Sequence, residues 1–213
     1  METYNDELIL LDNGEAIENV VEENRHKNDI NDGYIIIDEE TIEFSERCIL
    51  EEKVFMIIPT SFDIMVEEDI EVKYPLEDRP QVIFTNLDTS INITISQRRD
   101  QILQNDQVEA LKNIIQDNVK EEHSDLKLIG DGVFCVEENN IAYFDFMSSA
   151  VDSEMYNLLY VLSLDSTLIL GSFNCIQEYM ADWKDIFLQM LQSTRLVKGV
   201  DFNKLLSSNN ALV

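Results

Sequence analysis

The chain has 213 residues and carries 43 acidic side chains against 15 basic ones, a formal net charge of −28. A protein this acidic repels phosphate backbones and anionic membrane surfaces, which excludes sequence-independent nucleic-acid binding and electrostatic membrane binding. Hydrophobic residues make up 45 % of the sequence, which supplies enough apolar surface for a folded core rather than a disordered acidic chain.

The acidity is concentrated at the N-terminal end. Residues 1–46 hold 15 acidic side chains and two basic ones, a balance of −13. Apolar clusters interrupt this segment, and their spacing predicts a short helix near 14–24. The composition therefore divides the chain into an acidic N-terminal appendage, a main domain and a C-terminal tail: residues 1–41, 42–198 and 199–213.

The main domain opens with short strand-like runs. Residues 54–58 and 81–85 are compact apolar runs, and residues 91–96 alternate between isoleucine and a polar residue. That alternation predicts a strand with one buried face and one solvent face. All three prolines fall between residues 59 and 80, so this stretch is predicted to be an irregular connection.

Two amphipathic helices follow, with a second group of strands between them. Apolar residues from Val108 to Val119 form one helical stripe, which Asp106 is expected to cap. The second helix is predicted over residues 175–192. Strands are predicted on both sides of a turn at residues 130–132 and over three further runs: 141–147, 156–162 and 168–173.

The run at 156–162 is apolar on both faces, so it is predicted to be a central strand covered on both sides. Short links between strands favour antiparallel pairing. We therefore predict an α+β fold, an antiparallel sheet of about six strands with a helix on each face. This is a three-layer α/β/α sandwich that carries the acidic N-terminal appendage.

Several segments of the main domain together resemble a known family. They are an apolar strand that ends in Pro and Phe, a "YP…RP" connection, an "IFTN" strand and an "INI" strand, at residues 55–62, 74–80, 83–86 and 91–93. Their order resembles a group of bacterial proteins with the PsbP-like or Mog-type α/β/α sandwich, to which DcrB and the Eag-type effector chaperones also belong. The resemblance covers residues 42–198. It implies the sandwich fold and a mostly non-enzymatic function, and it brings no catalytic motif.

Candidate catalytic and metal-binding residues are scarce. The two histidines, His26 and His123, lie neither at a strand end nor in a glycine-rich turn that would present a catalytic base. No nucleotide-binding, zinc-binding or nucleophile-elbow motif occurs. The many paired carboxylates are typical of solvated surfaces rather than of acid–base pairs. We therefore predict no enzymatic activity, no catalytic residue, no metal site and no cofactor.

The location is predicted from three features. No apolar run reaches the roughly 18 residues that a transmembrane helix needs. Residues 1–7 lack the basic and apolar regions of a secretory signal. Three widely spaced cysteines, Cys48, Cys135 and Cys175, are typical of reduced thiols in the core. We expect a cytoplasmic protein that does not insert into membranes.

The connection at residues 59–80 is the strongest candidate for a partner contact. Its prolines stiffen it, and it offers Phe62, Met65, Tyr74 and Arg79, among which the aromatic and arginine types are enriched at interface hot spots. The alternative is that it packs over a sheet edge while Arg79 bonds the backbone or Asp78.

The leading hypothesis is a non-catalytic, cytosolic protein-binding or accessory module, for example an adaptor or chaperone for a secreted effector. The net charge favours a basic protein partner and leaves the oligomeric state open. The alternatives are an immunity protein that binds a basic toxin, a carboxylate-dependent enzyme and a structural subunit.

Overall fold

The computed structural model describes residues 28–122, 126–149 and 153–198. The predicted helix near 14–24, both histidines and the tail at 199–213 lie outside the described residues. The strands are β1 (Tyr34–Ile37), β2 (Glu40–Leu50), β3 (Val54–Pro59), β4 (Asp63–Ile64), β5 (Val82–Thr85), β6 (Ile91–Ile102), β7 (Lys127–Val136), β8 (Asn139–Ser149), β9 (Glu154–Leu164), β10 (Thr167–Ile176) and β11 (Arg195–Leu196). The α-helices are α1 (Glu67–Lys73), α2 (Val108–Glu122) and α3 (Met180–Gln192).

The strands form two antiparallel sheets. The smaller sheet has four strands in the order β1-β2-β3-β11, and the larger has seven in the order β4-β5-β6-β10-β9-β8-β7. Helix α2 packs on one face of the larger sheet, whereas α3 and the smaller sheet together cover the other face. The predicted α+β antiparallel sandwich is confirmed, but the expected single sheet of about six strands is two sheets.

The centre of the molecule lies around β9. Tyr156 and Tyr160 face α3 and the smaller sheet, while Val161 faces α2, and all three are fully buried. Phe187 of α3 stacks on Phe173 of β10 with ring centroids 5.1 Å apart. The prediction of a central strand covered on both faces is confirmed. Burial of each such side chain stabilises the fold by roughly 1.5–3 kcal/mol.

The packed domain begins before residue 42. Strand β1, which composition placed in the acidic appendage, pairs with β2 over its full length. Ile30 and Ile35 are buried in the main core. These isoleucines can be buried within an acidic segment because the neighbouring acidic side chains of Asp38 and Glu39 remain exposed in a turn.

The predicted turn at residues 130–132 is wrong, because β7 runs straight through it and pairs with β8 on both sides. Gly130 and Gly132 lie opposite Asp145 and Tyr143, whose side chains occupy the space above the two glycines. A Cβ on Gly132 would lie 2.9 Å from the Tyr143 ring, and one on Gly130 would lie 3.1 Å from the Asp145 carboxylate. The glycines thus mark a close approach of cross-strand side chains.

Several hairpin turns are built from paired acidic residues. Asp38–Glu39, Glu51–Glu52 and Glu137–Glu138 have positive φ angles between 45° and 69°, and all six side chains are exposed. Such left-handed positions usually hold Asn or Gly, so the sequence carried no ordinary hairpin signal here. These carboxylate pairs are solvated turns, as the charge runs predicted.

The polar face of β6 is not exposed to solvent as predicted. Asn92 and Thr94 are both buried. Thr94 Oγ1 is 2.8 Å from Ser172 Oγ, and Asn92 Nδ2 donates to Asn174 Oδ1 at 2.9 Å. The polar groups satisfy one another across β6 and β10, which is what allows them to be buried.

Both predicted helices form, but their N-terminal ends differ from the prediction. Helix α2 is preceded by a reciprocal cap in which the Gln104 N–H donates to Gln107 Oε1 at 3.0 Å, so the expected cap at Asp106 is wrong. The second helix begins at Met180 rather than at 175, because Cys175 completes β10 against β6 and β9. The connection at 59–80 is also not wholly irregular, since it contains β4 and α1.

Candidate functional site

A cavity of about 530 Å³ opens where the β1–β2 turn, the loop after β3, the β5–β6 loop and the start of α3 meet. We name it the Trp183 cavity. Its lining residues are Ile37, Asp38, Glu40, Ile42, Ser61, Phe62, Asn86, Leu87, Asp88, Ile91, Tyr179 and Trp183.

The floor of the Trp183 cavity is aromatic and rigid. Phe62 and Trp183 stack with ring centroids 5.8 Å apart, and Trp183 packs in turn on Phe187 at 5.7 Å. The backbone after β3 is held in place because the Phe62 N–H donates to the Pro59 carbonyl at 3.2 Å and Arg47 donates to the Phe62 carbonyl. The floor is therefore continuous with the aromatic core and positioned before any ligand arrives.

The β5–β6 loop forms one wall, and its own hydrogen bonds fix its shape. The Asn86 side chain accepts from the Ile91 N–H at 2.9 Å and donates to Ser90 Oγ at 3.0 Å. Asp88 accepts from the Ser90 hydroxyl at 2.6 Å and from the Ser90 N–H at 3.0 Å. This loop holds the Leu87 side chain fully exposed to solvent beside the opening.

The rim of the cavity is acidic. Asp38, Glu40 and Asp88 are exposed around the opening, and none of the described lining residues is basic. The hydrogen bonds from Ser90 hold the pKa of Asp88 below its usual range, so this carboxylate stays ionised at neutral pH. Lys73 stands outside the lining and donates to the Thr89 carbonyl on the same loop.

The Trp183 cavity has two chemically different parts. The cavity combines an apolar, aromatic interior with fixed negative charge at its mouth, and it contains no histidine or cysteine among its described lining residues. An apolar group that carries positive charge beside it would satisfy both parts of the site.

Two of the sequence-predicted contact residues are buried. Phe62 lines the floor of the cavity, whereas Met65 is buried outside its lining, and its N–H donates to the Ile83 carbonyl at 2.9 Å. The structure therefore brings only Phe62, of the four predicted contact residues, to the Trp183 cavity.

The other two predicted contact residues bind groups of the chain itself: Tyr74 reaches the larger sheet, and Arg79 pairs within the connection. The Tyr74 hydroxyl is hydrogen-bonded to Asn174, and burial raises the pKa of Tyr74. Arg79 pairs with Glu67 at 2.9 Å, and Asp78, its expected partner, pairs with Arg98 instead at 2.7 Å. A partner contact through the four residues as a group stays a prediction.

Sequence reasoning did not connect Leu87, Asp88 and Trp183. Trp183 lies within the helix predicted over residues 175–192, and the β5–β6 loop carries no motif. The single leucine between polar residues at 86–90 gives no signal, because isolated apolar residues on a protein surface are ordinary.

A buried ion pair lies beneath α3 and was also missed. Asp145 of β8 is 2 % exposed, accepts from the Tyr156 hydroxyl at 3.0 Å and pairs with Lys184 of α3 at 3.0 Å. Burial, followed by the neighbouring Asp145 charge, raises the pKa of Tyr156 well above its usual range, so its hydroxyl remains a donor. The sequence signal was a single charge in an otherwise apolar strand.

Two absences concern the described part of the chain alone. Within residues 28–122, 126–149 and 153–198, no group of three or more His, Cys, Asp and Glu side chains could hold a metal ion. In the same ranges, no helix is long and apolar enough to cross a membrane.

Comparison with known proteins places the fold. No family model matches the sequence, and no curated protein matches it. Among solved structures, the chain is similar to cyanobacterial PsbP (CyanoP) from Synechocystis, with a TM-score of 0.52 and 13 % identity over 76 % of this chain and 97 % of that chain. The chain therefore has the PsbP-like fold, and the fold resemblance drawn from its sequence motifs is confirmed.

Two further solved structures are similar at lower scores. The Ran-binding protein Mog1p from Saccharomyces cerevisiae has a TM-score of 0.48 and 12 % identity, over 74 % of this chain and 97 % of that chain. LpqN from Mycobacterium tuberculosis, described as involved in cell envelope biogenesis, has a TM-score of 0.48 and 6 % identity, over 73 % and 91 %.

Proposed function

We propose that this chain is a non-catalytic protein-binding module that accepts a basic, apolar-tipped segment of a partner protein in the Trp183 cavity. One observation carries the proposal: three exposed carboxylates surround an aromatic floor, and a fully exposed leucine stands beside them. The apolar interior would take an aliphatic or aromatic side chain of the partner, and the rim would attract lysine or arginine next to it.

The size of the cavity supports this use. Its volume of about 530 Å³ lies within the range of about 300–1,000 Å³ that is usual for ligand sites. Phe62 and Trp183 form a preformed aromatic floor, and tryptophan is a residue type that interface hot spots favour, while Leu87 is exposed beside the opening. Because the floor is already packed, little ordering would be needed on binding.

The direction of the perturbed acid pKa values supports a binding role over an enzymatic one. The hydrogen bond from Arg195 lowers the pKa of Glu46, and the hydrogen bonds from Ser90 lower the pKa of Asp88. A general acid working near neutral pH needs a raised carboxyl pKa. The lowered pKa keeps Asp88 ionised at the rim of the cavity, which suits recognition of a cation, whereas the charge of Glu46 is already paired with Arg195 outside the lining.

Within this function, we propose an adaptor or chaperone for a secreted effector, in the cytoplasm. The expectation of core cysteines is wrong for Cys48 and Cys135, which are exposed, and holds for Cys175; free exposed thiols suit a reducing compartment. An immunity protein that binds a basic toxin is the second candidate, since the same acidic rim would serve it. The two differ in the partner: a chaperone would bind one extended segment, whereas an immunity protein would cover a folded toxin surface.

Trp183 gives a direct assay, because it is the one tryptophan in the sequence. We would titrate the chain with two peptides of equal length, in which one central leucine is flanked by lysines or by glutamates. The lysine peptide should change the tryptophan emission saturably and bind more weakly as salt is added, while the glutamate peptide should have no effect. Equal responses to both peptides, or none to either, would contradict the proposal.

A matched pair of variants extends the test to whole partners. Leu87→Ser removes the exposed apolar side chain at the cavity, and Leu76→Ser makes the same change at another highly exposed leucine outside the lining. Leu87→Ser should weaken binding of the lysine peptide by about tenfold or more, whereas Leu76→Ser should leave it within about twofold. If both variants weaken it equally, the effect does not come from the cavity and the cavity is not the site.

A further inference from the structure

The structure fixes the point at which residues 1–27 join the described part of the chain. At this point the Asn28 side chain lies against β1, since its Nδ2 donates to the Ile36 carbonyl and its Oδ1 accepts from the Ile36 N–H, both at 3.3 Å. The Asn28 carbonyl accepts from Gln189 Nε2 of α3 at 2.9 Å, and Gln189 Oε1 accepts from the Ile30 N–H at 3.1 Å. Asn28 is therefore held by β1 and by α3.

The direction of the chain before Asn28 follows from the turn after it. Residues 30–32 form a short 3-10 helix that reverses the chain into β1, and this reversal places Asn28 beside Ile36. The residues before Asn28 therefore lead away antiparallel to β1, in the direction from Ile36 to Asp38. Asp38 is one of the carboxylates on the rim of the Trp183 cavity.

A concavity along β1 offers a path in that direction. It has a volume of about 540 Å³, and its described lining includes both Asn28 and Asp38, together with the exposed side chains of Tyr34 and Ile36. Asp38 also lines the Trp183 cavity, so the two concavities meet at this carboxylate. The described lining residues of both include carboxylates and no basic side chain. The path from Asn28 to the cavity is thus suited to a cation.

The residues just before Asn28 carry the matching charge. Arg25 and Lys27 are the only basic side chains among residues 1–46, and residues 24–27 contain no acidic side chain. Three residues of extended chain span at most about 10 Å, so Arg25 lies within that distance of Asn28. Asp38 lies two residues beyond the position beside Asn28, about 7 Å along the strand. Both bases can therefore reach the rim.

We infer that the chain's own residues 25–27 regulate the Trp183 cavity, a regulation that rests on the proposed function of the same site. The basic side chains of Arg25 and Lys27 pair with the carboxylates of the rim, and the aromatic floor stays open. A basic segment of a partner must displace them before its own lysine or arginine can reach the rim. The cavity is therefore partly blocked until such a partner competes for it.

The size of the effect follows from the tether. Because three residues or fewer join the two bases to Asn28, their effective concentration at the rim is in the millimolar range or above. The apparent affinity for a partner falls in proportion to the fraction of molecules whose rim is free. If the bases occupy the rim in about 80 % of the molecules, a basic partner binds about fivefold more weakly than it would to an open rim.

Carbodiimide cross-linking of the full chain tests the contact itself, because the reagent joins an amine to a touching carboxylate as an amide, with loss of water. Mass spectrometry of the digested monomer should find Lys27 joined to Asp38, Glu40 or Asp88, in a yield that falls as salt is added. In a mixture of isotope-labelled and unlabelled chains, both cross-linked peptides should come from one copy. The inference is overturned if Lys27 forms none of these three cross-links, or forms them only between two copies.

Competition is tested with the same lysine peptide and two double variants. Arg25→Gln/Lys27→Gln removes the proposed regulator, and Lys120→Gln/Lys127→Gln removes two surface charges outside the cavity lining. The first should bind the peptide about fivefold more tightly than the wild type, and the second within about twofold of it. An equal gain in both variants, or a gain in neither, overturns the inference. If the peptide binds none of the three chains, the proposed function fails, and the cross-link alone decides whether residues 25–27 occupy the rim.

Discussion

Replacing Lys184 by methionine tests whether the ion pair beneath α3 holds that helix on the larger sheet. The variant keeps the length and apolar stem of the side chain but removes the ammonium that lies 3.0 Å from the Asp145 carboxylate. Asp145 is 2 % exposed and Lys184 is 30 % exposed, so the two partners differ in how well water can replace the lost contact.

The magnitude follows from that difference. In Lys184→Met, a carboxylate that is almost fully buried loses its cation, which should reduce the free energy of unfolding by about 3–5 kcal/mol. In Asp145→Asn, the amide oxygen still accepts from Tyr156, and the Lys184 ammonium can reach water, so the cost should be about 1–2 kcal/mol. The double variant should recover roughly 2 kcal/mol of the summed losses, because it contains no unpaired charge.

Urea unfolding followed by Trp183 fluorescence and circular dichroism measures these values. Lys120→Met is the matched control, because Lys120 pairs with Asp117 at 3.7 Å on the exposed surface of α2. Its effect should stay below about 0.5 kcal/mol. The reasoning is refuted if Lys184→Met costs no more than Asp145→Asn, or if its cost equals that of the control.

Three further predictions concern single positions. Burial raises the pKa of the Cys175 thiol to about 12, so at pH 8 a thiol reagent should label the two exposed cysteines of the folded chain and reach the third only after unfolding in urea. Gly171→Ala should lower the free energy of unfolding by about 3 kcal/mol in urea titrations, since the new Cβ would lie 2.3 Å from the Tyr160 ring and hydroxyl. Glu138→Gly should stabilise the chain by about 1 kcal/mol and raise Tm by about 2–4 °C in calorimetry, because Glu138 has a φ of 69°.

Each of these has a contrary outcome. Labelling of all three thiols at equal rates would show that Cys175 is open to solvent in the native state. A Gly171→Ala variant of wild-type stability would mean that the sheet moves aside without cost. A loss of stability in Glu138→Gly would show that the entropy of the added glycine exceeds the relief of the left-handed conformation.

Local periodicity predicted the strands and helices whose buried face can be recognised from the spacing of their own apolar residues. The apolar run that became β9 and the stripe that became α2 could be recognised because a strand or helix repeats its buried face at a fixed interval. Strand β7 could not, because Gly130 and Gly132 are required by Asp145 and Tyr143 on the next strand. The local sequence contains only two closely spaced glycines, and that pattern predicts a turn.

The candidate site shows the same division. Phe62 could be selected from residue type and from the rigid connection that carries it, whereas Leu87, Asp88 and Trp183 come from a separate loop and helix. These residues lie close together only because of the order of strands in the two sheets, and a local sequence pattern does not specify that order. For the same reason, the sequence could not show that Met65 is buried or that Arg79 pairs with Glu67.

The sequence by itself determined the class of fold, the excess of negative charge and the lack of familiar catalytic motifs, since these depend on composition and short-range pattern. The tertiary structure alone decided where the charge matters. It dispersed many of the acidic pairs into solvated hairpin turns and set Asp38, Glu40 and Asp88 around one aromatic floor. The physical reason is that a binding site needs several side chains at fixed distances, and only the packing of both sheets and α3 brings these segments together.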